Sequence, residues 1–112
     1  MYIVLKVTQE QIVAMGSVFE AARGHWVLDP DRASQCSAVV VVTNKQVQEV
    51  FKADAWYPST LCEGRFVFAG WRNLGLTHKL QGCNINPALC LKGAENPVRY
   101  VEESELLAQQ ED

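Results

Sequence analysis

The chain has 112 residues, with 10 Lys+Arg against 13 Asp+Glu, a formal charge of -3 and 48% hydrophobic residues. This is the size and composition of one small folded domain with a single core, too short for a two-lobed enzyme and too apolar for a disordered tail. The acidic balance argues against tight non-specific binding to DNA or RNA, which needs a basic face, but leaves room for a pocket that takes one base or nucleotide.

Met1 to Val7 predicts a well-buried strand, with Ile3, Leu5 and Val7 on one face and Tyr2, Val4 and Lys6 on the other. Its apolar run is too short for an export signal or a spanning helix, so a cytoplasmic protein is expected. Thr8-Gln9-Glu10-Gln11 has the form of a capping box. Ile12, Met15, Phe19 and Ala22 follow at helical spacing and predict a helix of about four turns. Gly24 permits a turn, and Trp26-Val27-Leu28 suits a short strand. Asp29 as cap and Pro30 at the first helical position predict a short helix ending near Cys36.

The valine run at 38–43 predicts a central strand buried on both faces. Asn44-Lys45 is a two-residue turn into a strand at 46–53, where Val47 and Phe51 would share one face. Trp56 to Thr60 is expected to open a loop, since Pro58 cannot continue a ladder. Residues 65–71 alternate as a strand. The Gly- and Asn-rich stretch from Arg72 to Asn86 reads as irregular. Asn86-Pro87 can cap a short helix ending at Lys92-Gly93, and 98–101 reads as a last strand. The domain is placed at 1–103, with an acidic tail or short helix at 104–112.

The chain lacks the glycine-rich phosphate loops and the hydrolase elbow. Cys36, Cys62, Cys83 and Cys90 include no C-x-x-C pair, and neither His25 nor His78 completes a zinc pattern, so reduced thiols without metal are expected. A Cys62 nucleophile with a His78 base lacks any family signature, and a loop thiol with a surface histidine explains both. Asp29 is a helix cap, and Asp31 and Asp54 are solvated charges. No catalytic constellation and no cofactor motif emerges.

Aromatic and cationic residues carry more information. Trp26, Trp56 and Trp71 lie at strand ends, near Arg23, Arg65, Arg72 and Arg99 in sequence. A flat aromatic wall beside an Arg fork is the chemistry that holds a base or an anionic ring. Core packing is the first explanation for any single tryptophan. Asn96, held extended before Pro97, can fix a turn or orient a pocket rim, and Arg99 can serve a ligand or pair with Glu63 or Glu95.

These residues fall in a familiar order: Ala22-Arg23-Gly24-x-Trp26, Asp29-Pro30-x-Arg32-Ala33, Val47-x-x-Val50-Phe51, Trp56-x-Pro58, Gly64-Arg65-Phe66-x-Phe68-x-Gly70 and Lys92-Gly93-Ala94-x-Asn96-Pro97-Val98-Arg99-Tyr100-Val101. From about Arg23 to Val101 the chain resembles the small PUA-like domains, related to EVE and ASCH domains, that occur alone or behind GIY-YIG nuclease domains in bacterial and phage proteins. The resemblance implies an α+β fold, a strongly curved β pseudo-barrel with short flanking helices. It also implies a binding module rather than an enzyme, one that recognises a nucleobase or nucleotide, free or within nucleic acid. Arg23, Arg65 and Arg99 would then serve acceptor or anionic groups, Trp26 and Trp56 would stack, and Asn96 would orient the rim. Trp26 and Arg99 are expected in one concavity. The alternative is a small protein-interaction module, such as a phage-type inhibitor of a host defence protein, which would present a flat apolar patch.

Overall fold

The computed structural model describes residues 1–90 and 97–108, the side chain of Cys90 excepted. Its strands are β1 (Tyr2–Lys6), β2 (Ala38–Thr43), β3 (Gln46–Pro58), β4 (Phe66–Arg72) and β5 (Val98–Val101), and its helices are α1 (Gln9–Met15), α2 (Val18–Ala22), α3 (Pro30–Ser34) and α4 (Leu74–Leu80). The strands form one sheet in the order β4-β3-β2-β1-β5. β1 and β2 run parallel and the other neighbours antiparallel. A parallel pair needs a long crossover, and α1 to α3 supply it.

All five strands begin within a residue of where the sequence predicts them, but β3 runs to Pro58, beyond its expected end at 53. The expected single core is instead two: apolar side chains pack on both faces of the sheet. One face gathers Ile3, Leu5, Val39, Val41, Phe51, Trp56 and Phe68 under Ala22, Trp26 and Ala33 of the crossover. The other gathers Tyr2, Val4, Val40, Val42, Val47 and Val50 under Leu80, Ile85 and Leu106. Every residue of β2 is buried, as its unbroken β-branched run requires.

Two local features shape the hairpins. Asn44 and Lys45 take positive φ of 53° and 67°, the geometry of a two-residue turn matched to strand twist. A register shift between Val41 and Val42 puts one extra residue into β3. Val47 therefore joins the second core while Phe51 joins the first, and the shared face expected for them is corrected by this bulge.

The expected four-turn helix is broken in two. Gly16 ends α1 at φ 93°, donating its N–H to Ile12, and Ser17 then caps α2 by accepting from the Glu20 amide. The Thr8 capping box is present, with Gln11 Oε1 accepting from Thr8 N at 2.8 Å. Trp26-Val27-Leu28 is no strand; Trp26 makes only an isolated bridge to Phe66. β3 continues through Pro58, which sits at the last pair of the ladder, where its missing donor costs nothing. Within the stretch read as irregular, Asn73 caps α4 by accepting from Leu76 N at 3.0 Å. Thr77 and Leu80 are the buried residues of that helix.

A 3-10 turn spans Pro87–Cys90, and its expected end at Lys92-Gly93 lies outside the described residues. A second spans Glu103–Glu105, after which Leu106 is 1% exposed in the second core. Among the described residues the pairings leave β4 and β5 as the two edges, so the sheet is not closed into the expected barrel. Among the described residues no helix is long and apolar enough to cross a membrane.

Candidate ligand-binding cleft

The site begins with the way the free edge of β4 is covered. Phe68 N donates to Arg23 O at 2.9 Å, while Trp26 and Phe66 exchange both main-chain bonds at 2.9 Å. The Arg23–Trp26 segment thus lies along β4 as a short irregular strip. Gly24 is required by this approach, because a Cβ there would run into the Val67 side chain. The Gly24–His25 peptide is cis. Trp26 is 7% exposed, and its indole N–H donates to Ala22 O at 2.6 Å, which ties the strip to the end of α2.

His25 is fixed at both ends. Its Nδ1 lies 2.6 Å from Ser59 Oγ. Its carbonyl accepts from Arg65 Nη1 at 3.2 Å. Ser59 Oγ also accepts the main-chain N–H groups of Leu61 at 3.1 Å and Cys62 at 3.0 Å, so the loop between β3 and β4 is folded around this hydroxyl. Arg65 is anchored by its place before β4: Ser59 N donates to its carbonyl at 2.8 Å.

Between this corner and the start of β5 lies a cleft of about 310 Å³, lined by Gln11, His25, Trp26, Arg65, Pro97 and Val98 among others. Among the described residues that line it, Arg65 carries the one formal charge and none is a carboxylate. Among the described residues no group of three or more His, Cys, Asp or Glu is placed to hold a metal ion. Cys36, Cys62 and Cys83 are free thiols, and burial pushes the Cys36 thiol above its usual range.

Of the residues the sequence singles out, the structure brings Trp26 and Arg65 together in this cleft. Arg23 stands beside it on the strip, but its guanidinium points to Glu20, 3.8 Å away. Trp56 is a core residue, 9% exposed, with its ring 5.1 Å from that of Phe68. Arg99 is on the other side of the sheet. It pairs in register with Val4, whose side chain is in the second core, whereas Val98 and Tyr100 face the first. Trp26 and Arg99 therefore do not share a concavity. Asn96 lies outside the described residues.

Sequence reasoning missed three polar residues of this corner: Gln11, His25 and Ser59. The capping box already fixed where Gln11 points, and was read only as a helix signal. Nothing local announces that His25 meets Ser59 across 34 positions of chain. Comparison with family models, with curated proteins and with solved structures found no match to this chain.

Proposed function

We propose that the chain is a non-catalytic, cytoplasmic PUA-like binding module that holds one nucleobase or nucleotide in the cleft between β5 and the Arg23–Trp26 strip. The observation that carries this reading is the meeting of Trp26, His25 and Arg65 in one concavity. What supports the PUA-like part of the reading is the coarse α+β outline alone, one mixed five-stranded sheet with short helices. At about 310 Å³ the cleft is at the small end of ligand sites, the size for one nucleotide rather than a duplex. Trp26, largely buried, offers an apolar floor rather than a free stacking wall. Arg65 supplies the fork.

The test is titration calorimetry with nucleosides and mononucleotides, on the protein and on Arg65→Ala. Loss of a hydrogen bond to a charged group should weaken a phosphate-bearing ligand by about 1.5–3 kcal/mol. Unchanged binding by Arg65→Ala, or no binding of any nucleotide at millimolar concentration, overturns the reading.

A second reading, the protein-interaction module, rests on a different surface. On the face of the β3–β4 hairpin away from the first core, Tyr57 pairs with Val67, Ala55 with Ala69 and Lys52 with Trp71. Tyr57 is 51% and Trp71 54% exposed there. Exposed Tyr and Trp on a flat patch are common anchors for a protein partner. That reading predicts that Trp71→Ala abolishes function while Arg65→Ala leaves it intact.

A further inference from the structure

The polar rim of the cleft is built from hydrogen-bond donors. A serine hydroxyl has one proton and two lone pairs. Both lone pairs of Ser59 are taken by the N–H groups of Leu61 and Cys62. Its proton therefore points to its remaining neighbour, His25 Nδ1. With Nδ1 accepting, the imidazole's own proton sits on Nε2, and His25 presents a donor. Gln11 is oriented by the same logic. Its Oε1 is held by the Thr8 amide, so its other end is the NH2 group. Arg65 uses Nη1 on the His25 carbonyl and keeps further N–H groups.

Three carbonyls of the corner already accept hydrogen bonds within the protein. The carbonyl of Trp26 takes the Phe66 N–H and that of Pro97 the Lys6 N–H, while Arg65 holds that of His25. Three donors thus come to one cleft from α1, the strip and the loop before β4, and no described carboxylate opposes them.

We infer that the cleft selects its ligand by oxygen acceptors, a base carbonyl edge or a phosphate, with His25 and Gln11 as specificity-determining donors. This rests on the reading of the cleft as the nucleotide site. A group with its own N–H or NH2 at that edge faces donors rather than acceptors and gains no hydrogen bond from them. Uridine and cytidine separate the cases at the C4 edge, where uridine presents a carbonyl acceptor and cytidine an amino donor; at N3 they differ in the opposite sense, uridine carrying the N–H.

The experiment is calorimetric titration of the protein with uridine, cytidine and their 5′-monophosphates. A site whose donors meet the C4 edge binds uridine roughly tenfold or more above cytidine. A phosphate site binds both monophosphates well above both nucleosides. Equal binding of uridine and cytidine with no gain from phosphate overturns the donor assignment while leaving the nucleotide reading standing; no binding at all removes that reading itself.

Gln11→Glu provides the control against misfolding, because Glu serves a Thr capping box as well as Gln does. It exchanges an NH2 for a carboxylate oxygen. Its melting temperature should match the parent and its affinity for the preferred ligand should fall about tenfold or more; unchanged affinity overturns the proposal. A long-range proton–nitrogen spectrum of His25 reads the tautomer directly. The proton should be found on Nε2, and finding it on Nδ1 overturns the argument from Ser59.

Discussion

Thr77→Val is the sharpest test of how the sheet is completed where β4 ends. The last β3–β4 pair is Phe51 with Arg72, so Val50, fully buried, has no strand partner on that side. Thr77 of α4 takes the partner's place. Its hydroxyl accepts from Val50 N at 2.9 Å and donates to Val50 O at 3.0 Å. Valine keeps the shape and removes the oxygen. Val50 O retains the Asn73 N–H at 2.8 Å, so the exchange orphans one buried group, the Val50 N–H. An unsatisfied buried donor costs about 1–3 kcal/mol. For a domain of this size that corresponds to a fall in Tm of about 4–12 °C. Urea denaturation should show a lower midpoint with an unchanged slope, because the folded shape is unaltered. Thr77→Ser, which keeps the hydroxyl, should preserve slow hydrogen exchange at the Val50 amide, and Thr77→Val should accelerate it. A Thr77→Val protein of parental stability would refute the assignment.

Gly70→Ala should destabilise by about 1–3 kcal/mol, because the new methyl meets backbone rather than a yielding side chain. It would run into the Lys52 carbonyl and come within 3.0 Å of Ala53 Cα across the bulge; a thermal melt at the parental Tm would contradict this. Alkali should weaken the fold. Burial, then the Glu103 charge and hydrogen bond, raise the Tyr2 phenol, and burial above all raises Tyr100. The unfolded chain then ionises first, so their contribution is complete below about pH 10 and is lost as pH rises through the folded values. Melting curves across that window should fall less steeply for Tyr2→Phe combined with Tyr100→Phe, and identical slopes would exclude the mechanism.

Three strands were legible from signals of their own: an apolar run on both faces in β1, a β-branched run in β2 and alternation in β4. What alternation cannot give is an added residue. The bulge near Val41 is invisible in sequence, and it puts Val47 and Phe51 on opposite faces. α4 was hidden because Gly75 and Asn73 read as loop residues, although Asn73 is the cap of the helix they open. The site was half legible. Aromatic and guanidinium chemistry pointed to Trp26 and Arg65, and both line the cleft. The same chemistry pointed to Arg99, but its face is set by pairing with Val4, a fact of register and not of local sequence. His25 and Ser59 meet only through the tertiary fold.

The strip along β4 also bears on how the molecule behaves toward its own copies. An edge strand with free N–H and C=O groups is a template on which another chain can add a strand. Here Trp26 occupies both groups of Phe66 and Arg23 the N–H of Phe68, so the start of the edge is closed to recruitment. The closure is main chain laid on main chain, and the Trp26 indole bond to Ala22 holds it down. A change that frees the strip from α2 would expose a growth point while the rest of the sheet stayed folded. Light scattering should then rise with concentration below the unfolding temperature, making solubility, rather than affinity, the first property lost.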